Sequence, residues 1–299
     1  MSGRTRIGFI GLGMMGHGMA RNLVAKGFPL TVVAHRRREA VDDLVSLGAA
    51  ETTTPAEVAA ASDIVFICVG NSAQVETIVR DRSGLAAGAH RGLTIVDCST
   101  SDPNSTLMLA AELMPLGVDY ADAPLSRTPK EAMEGTLDCM VGATDAVFAR
   151  IEPAISAWAG RIVHVGKVGD GHKMKLLNNF VSLGYAAIYA EALALARKSD
   201  IEPATFDSVI RGGRMDCGFY QTFMRYVLER DENAHKFSIG NAAKDLRYLE
   251  AMADATAFAN PVGNAVKNTF AGAAATGRAN HYVPMISDIV AAANGTRLH

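Results

Sequence analysis

In the stretch "GDGHKMKLLNNF" (169–180), Lys175 and Asn179 stand four residues apart. On a helix that spacing puts both on one face, and Ser182 continues the face one turn on. The residues around them are mostly Leu, Phe, Val, Ala and Tyr. A lysine and an asparagine on so apolar a helix need partners or a task. The task that suits them is proton transfer. An ammonium whose pKa is lowered by burial or neighbours can give and take a proton near neutral pH. An amide beside it holds the reacting groups in register. The bland alternative is that Lys175 carries its charge out to solvent while Asn179 satisfies a backbone group. Spacing alone leaves both open.

A second stretch, "DAPLSRTPKEAMEGTL" (122–137), runs from a buried-strand pattern into a loop with Ser126, Arg127 and Thr128 side by side, followed by Pro129. A guanidinium flanked by hydroxyls suits an anion with several oxygens. Proline at the next position fixes φ and lowers the cost of ordering the loop. The competing possibility is that Arg127 points outward or pairs with the chain's own acids, such as Asp122 or Glu131.

The third stretch is "IGFIGLGMMGHGMA" (7–20), a G-x-G-x-x-G formed by Gly11, Gly13 and Gly16. It follows a strand pattern and opens a helix pattern, the context in which the motif binds a dinucleotide. Gly11 permits the turn, Gly13 lets the backbone approach a pyrophosphate, and Gly16 allows close helix–strand packing. Leu12, Met14 and Met15 complete the turn, whose free N–H groups face the phosphates. The next strand ends in "VVAHRRRE" (32–39), with His35, Arg36 and Arg37 and no acid at its tip. An acid there would accept from ribose hydroxyls, whereas arginines suit a 2′-phosphate. The expected cofactor is therefore NADP(H). No cluster has metal-ligand spacing, and the lone histidines His17, His164 and His172 read as packing or surface residues.

These residues need a scaffold that brings them together. Up to about residue 165, short β-branched runs alternate with helical patterns: strands at 6–11, 30–35, 63–70, 93–99, 118–124, 137–142 and 161–166, helices at 14–26, 37–46, 104–115 and 145–157. Such alternation predicts a parallel sheet covered on both faces, an α/β Rossmann-type doubly wound domain over 1–166. After "VGKVGDGH" the strands stop. A long helix, apolar almost all round, begins near 172, and shorter helices are expected near 203–213, 218–230, 238–256, 262–275 and 284–292. The second domain, 167–299, is expected to be all-α, built around that long interdomain helix and concerned with substrate and dimerisation.

The 299 residues are 49% hydrophobic and 20% charged, with a net charge of −2 and no block of like charge. That gives no footprint for nucleic acid. The four cysteines lack paired spacing, and Cys68, Cys98 and Cys139 lie in apolar runs, which fits a reducing cytoplasm. No signal peptide and no charge-free run of spanning length are read from the pattern, so no membrane partner is expected. The apolar α-half should bury itself in a homodimer or homotetramer.

Taken in order, these motifs resemble the β-hydroxyacid dehydrogenase family, 3-hydroxyisobutyrate dehydrogenase-like members of the 6-phosphogluconate dehydrogenase superfamily. "GFIGLGMMGHGMARNL" resembles its cofactor fingerprint and "DCST" (97–100) its loop beside the nicotinamide. "DAPLSRTPKEAMEGTL" resembles its substrate loop, "GDGHKMKLLNN" its catalytic segment, and "AAKDL" (242–246), more weakly, a segment lining its cleft. The resemblance implies hydride transfer between the nicotinamide and a small β-hydroxyacid-type substrate, with Lys175 as general acid/base and Asn179 as its partner. It places Ser126, Arg127, Thr128, Asn178 and Lys244 at the substrate, and Val69, Ser99, Thr100, Lys244 and Asp245 at the cofactor. Most of the family has Ser-Gly-Gly where this chain has Ser-Arg-Thr. That departure resembles the sulfolactaldehyde reductase branch and implies a short aldehyde or ketone bearing a sulfonate or phosphonate. An ordinary carboxylate semialdehyde reductase stays open as the alternative. Imine reduction and a catalytically silent NADP-binding scaffold are disfavoured by the presence of Lys175.

Overall fold

A computed structural model describes residues 4–35 and 38–299, and divides the chain into two compact units, Met1–Lys175 and Leu176–His299. Arg36 and Arg37, on which the cofactor expectation rests, lie outside the described residues.

The first unit alternates strand and helix through most of its length. In chain order it runs β1 (Ile7–Ile10), α1 (Gly16–Ala25), β2 (Leu30–Val33), α2 (Glu39–Ser46), β3 (Ala50–Thr52), α3 (Pro55–Ala61), β4 (Ile64–Ile67) and α4 (Ser72–Arg80). It continues with β5 (Thr94–Asp97), α5 (Pro103–Leu113), β6 (Asp119–Asp122), β7 (Leu125–Ser126), α6 (Pro129–Glu134), β8 (Leu137–Gly142), α7 (Asp145–Ile155) and β9 (Ala159–Gly166). The strands lie in the order β3-β2-β1-β4-β5-β6-β8-β7, and β9 pairs with β8. Every pairing from β3 to β6 is parallel. The expected parallel sheet is thus present, and beyond it β8 runs antiparallel to β6 and β7 and parallel to β9.

The two strands at the centre, β1 and β4, carry no polar side chain because helices cover both faces. β1 (IGFI) and β4 (IVFI) are buried throughout. Two apolar clusters flank the sheet, one around Phe9, Phe66 and Trp158 and the other around Val65, Ile95 and Leu109. The order in which strands are added reverses between β1 and β4, and at such a switch point the loops leaving the strands' carboxyl ends open a crevice.

The second unit is helical. It takes most of α8 (Asp170–Lys198) together with α9 (Pro203–Ile210), α10 (Gly218–Glu229), α11 (Ile239–Ala255), α12 (Pro261–Ala273) and α13 (Ile286–Ala293). Its core gathers Leu183, Ala186, Ala190 and Leu193 of α8 with Tyr220 and Phe223 of α10, Leu246 of α11 and Phe270 of α12. By length and apolarity α8 alone among the described helices could cross a membrane, yet half of that stretch is buried inside the fold.

Candidate active site

The glycine-rich turn shows two kinds of glycine. Gly11 has φ +97, and a Cβ there would lie 2.2 Å from the Cys68 carbonyl oxygen, so the β1 and β4 loops touch backbone to backbone. At Gly16 a Cβ would meet the Gly11 carbonyl at 2.0 Å. Both glycines are therefore demanded by the protein itself. Gly13 is different, because a Cβ there would meet nothing within 4 Å. Protein packing gives no reason for a glycine at this exposed position, whereas a ligand pressed against the backbone does. No side chain caps α1, and its first turn holds no acid. Its N-terminal N–H groups therefore face an anion site that the protein leaves to a ligand. A dinucleotide fits this cradle. Leu12 and Met15 are partly buried beside the turn, while Met14 and His35 are exposed.

The loops leaving β4 and β5 are tied to each other at Ser99. Its N–H donates to Asp97 Oδ1 at 2.8 Å, and its hydroxyl accepts from the Val69 N–H at 3.0 Å. Ser101 donates its hydroxyl to the other Asp97 oxygen at 2.7 Å. Val69, Ser99 and Thr100 thus sit together beyond the carboxyl ends of the central strands β4 and β5, with Thr100 half-buried.

The segment after β7 is held more tightly than its sequence suggests. Thr128 is the N-cap of α6 in a capping box. Its hydroxyl donates to Glu131 Oε2 at 2.5 Å and accepts from the Lys130 N–H at 3.3 Å. The Thr128 hydroxyl holds Glu131 below the usual carboxylate range. Arg127 occupies φ +87, a region that favours glycine. Its Nε lies 3.1 Å from Asp138 Oδ1 on β8, so its carboxylate is neither Asp122 nor Glu131. The Ser126 hydroxyl oxygen is buried with no hydrogen-bond partner among the described residues.

Helix α8 carries both Lys175 and Asn179. Lys175 is half-buried, Asn178 exposed and Asn179 buried. Asn179 donates its amide N–H to Asp245 Oδ2 of α11 at 2.7 Å. Because a carboxylate only accepts, the Asn179 nitrogen must face Asp245, and its oxygen is left to turn elsewhere. The Asn178 amide approaches that oxygen at 3.5 Å. Asp245 is 2% exposed, and its second oxygen lies 3.1 Å from Lys244 Nζ. Lys244 Nζ also sits 5.3 Å from the centre of the Tyr248 ring. The arrangement can fix an amide at a set angle on the helix that bears the lysine.

Sequence reasoning placed Ser99, Val69, Asn179, Lys244 and Asp245 in the site, and the structure brings them into two such clusters, one in each unit. It missed His172. That histidine is fully buried, with its ring nitrogens 2.7 Å from the Thr106 hydroxyl and 3.1 Å from the Ser99 carbonyl. No local spacing signals these contacts, which arise where the first turn of α8 docks beside the ends of β5 and β6. Among the described residues no group of acids, histidines and cysteines is arranged to hold a metal.

Comparison with known proteins agrees with this geometry. Residues 6–166 match the NAD binding domain of 6-phosphogluconate dehydrogenase, and residues 169–286 match the NAD-binding domain of NADP-dependent 3-hydroxyisobutyrate dehydrogenase. The chain is 42% identical to 2-(hydroxymethyl)glutarate dehydrogenase of Eubacterium barkeri over 70% of its own length and 69% of the relative's. It is 36% identical to 2-hydroxy-3-oxopropionate reductase of Escherichia coli K12 over 91% of its length and 92% of the relative's. The solved structure of Mycobacterium tuberculosis 3-hydroxyisobutyrate dehydrogenase with L-serine matches with a TM-score of 0.86 at 27% identity, covering 96% of this chain and 99% of that one. The chain belongs to the 3-hydroxyisobutyrate dehydrogenase-like family of nicotinamide-dependent oxidoreductases that act on small hydroxyacids.

Proposed function

We propose that the chain is an NADP(H)-dependent reductase of a short aldehyde or ketone carrying an anionic group, with Lys175 as the general acid/base. The observation that carries this reading is the buried Asp245–Asn179 hydrogen bond of 2.7 Å, one helical turn from Lys175. A purely structural asparagine would not need a fully buried carboxylate to fix which way its amide turns. The nicotinamide, when bound, supplies the hydride. Lys175 Nζ protonates the alkoxide oxygen that develops during reduction, and takes that proton back in oxidation. The Asn179 amide oxygen, turned away from Asp245, holds the ammonium and the substrate oxygen in line. Val69, Ser99 and Thr100 flank the nicotinamide, and Asn178 and Lys244 complete the substrate's surroundings.

The Ser126 hydroxyl, buried without a protein partner, supports contact with the substrate's anionic group. Arg127 supplies positive charge beside it, while Thr128 contributes by fixing the loop through the α6 cap. Because Arg127 stands where much of the family has glycine, at a φ that suits glycine, a sulfonate or phosphonate is favoured over a carboxylate. The second reading, a carboxylate semialdehyde reductase, is favoured by the Arg127–Asp138 ion pair, which offsets the guanidinium's charge. Arg36 and Arg37 support NADP(H) over NAD(H) through the 2′-phosphate. We further propose residues 1–166 as the cofactor domain and 167–299 as the substrate and dimerisation domain of a cytoplasmic homodimer or homotetramer.

The test is oxidation of NADPH, and of NADH in parallel, followed at 340 nm. The substrates would share one carbon skeleton and differ only in carboxylate, sulfonate or phosphonate, with Arg127→Gly assayed alongside. The proposal expects NADPH to win, and the tetrahedral anions to lead by about tenfold in kcat/KM, a margin the variant loses. Carboxylates leading in both proteins would favour the second reading. Turnover with none of the three would sink both.

A further inference from the structure

We propose that His172 is a positioning residue for this reaction, locking the Ser99–Thr100 loop to the first turn of α8 so that the nicotinamide loop and Lys175 form one rigid piece. This rests on the reading above that Thr100 borders the nicotinamide and Lys175 moves the proton.

The argument starts from what a fully buried imidazole requires. Each of its nitrogens must find a partner, and each does. Nε2 faces the Ser99 carbonyl at 3.1 Å, so it carries a hydrogen and donates. Nδ1 shares a hydrogen with the Thr106 hydroxyl of α5 at 2.7 Å. The backbone N–H of His172 donates to Asp122 Oδ2 at 2.6 Å, and the Gly169 N–H donates to the other Asp122 oxygen at 2.6 Å. The start of α8 is thereby fixed to the end of β6 through Asp122, whose burial raises its pKa. The ring extends that fixation to the end of β5 and to α5.

Ser99 is the point where the fixation reaches the cofactor. Its N–H is held by Asp97 and its hydroxyl by Val69, which leaves the carbonyl to His172. The N–H, the carbonyl and the hydroxyl oxygen of Ser99 are thus each engaged by the protein, which holds the peptide leading to Thr100. Asp97 and Asp122, opposite each other in β5 and β6, lie 3.7 and 3.8 Å from the ring. If packing were the only requirement, an apolar side chain of this volume would fill the space without needing two polar partners. Lys175 follows one turn after His172 on the same face of α8, so a tilt of that turn is a displacement of the ammonium.

Three variants separate positioning from packing. His172→Gln keeps a donor that reaches the Ser99 carbonyl, His172→Asn is polar but too short, and His172→Leu keeps volume without a donor. NADPH Kd, read from the fluorescence of the bound nucleotide, and kcat/KM are measured on each, with melting temperature recorded beside them. The expectation is that Gln stays within about threefold of the parent, while Asn and Leu lose about tenfold or more in both quantities. Asn and Leu variants that bind and turn over like Gln, whatever their melting temperatures, would overturn the proposal. If Leu does not fold, Asn against Gln decides. Lys175→Ala, assayed in the same series, separates the two levels. Retained turnover in that variant overturns the underlying reading and this proposal with it. A dead Lys175→Ala with three indistinguishable His172 variants overturns the positioning role alone.

Discussion

Replacing Asp245 by asparagine tests whether the Asn179 amide is oriented by its buried partner. The change keeps shape and removes one charge, so packing is held nearly constant. In the parent Asp245 Oδ2 accepts from Asn179 Nδ2 at 2.7 Å, and Oδ1 lies in an ion pair 3.1 Å from Lys244 Nζ. An asparagine has one oxygen and one nitrogen, so one of those two donors must then face an N–H group. A hydrogen bond to a charged group contributes about 1.5–3 kcal/mol. Breaking a fully buried pair costs about 3–5 kcal/mol. Because Lys244 keeps 14% of its side chain exposed, the larger figure is discounted, and a loss of about 2–4 kcal/mol is expected. At roughly 2–3 °C per kcal/mol in a chain this long, the melting temperature should fall by about 4–12 °C. Activity should fall further than stability requires. An Asn179 amide free to flip presents its nitrogen to the ammonium part of the time, and a loss of about 10–100-fold in kcat is expected at a temperature where the variant is folded. The assays are a thermal melt and NADPH oxidation at 340 nm. A variant that melts early yet keeps its kcat would show that Asp245 holds the helices together and does not orient the amide.

Two further changes probe the loop and the long helix. Thr128→Ala removes the α6 cap and should cost about 1 kcal/mol at pH 7. Glu131 has its folded pKa lowered by the Thr128 hydroxyl, so its stabilisation is present above the ordinary carboxylate pKa and is lost as pH falls through the lowered value. The parent and Thr128→Ala should therefore differ fully at pH 7 and converge in acid; an equal gap at pH 7 and pH 3 in urea titrations would refute the Glu131 half of the capping box. Along α8, Met174, Val181, Ile188 and Leu195 recur every seven residues and are all exposed, a stripe suited to another helix. Ile188→Glu should shift the protein toward monomer in sedimentation at micromolar concentration, and a parent that is already monomeric there would refute self-association through this face.

Much of this was legible in the sequence, and the gaps have physical causes. Long, strongly patterned elements were readable: α8 begins within two residues of its expected start, and all seven expected strands are present. β3 went unread because its three residues, Ala-Glu-Thr, lie toward the sheet edge and bury no side chain, so no alternation marks them. α3 and α6 are short, yet both open on a Thr-x-x-Glu capping box, at Thr54–Glu57 and Thr128–Glu131, that a closer reading of caps would find. The glycine turn before α1 and the placing of Lys175 and Asn179 on one helix were legible because their spacing is local. Asp138 as the partner of Arg127, and His172 as the partner of Ser99, were not. Those pairings arise from strand register and from the docking of α8's first turn on the sheet, which no local spacing encodes.

The proposed chemistry depends on Lys175 moving the proton. Its most direct test is single-turnover oxidation of NADPH by Lys175→Ala beside the parent, with the anionic carbonyl substrate the panel identifies and with NADPH binding measured separately. General acid/base catalysis is worth about 10²–10⁴-fold, so the rate should fall by about a thousandfold while the NADPH Kd stays unchanged. A rate within about tenfold of the parent would contradict the account, because proton transfer would then not depend on this residue.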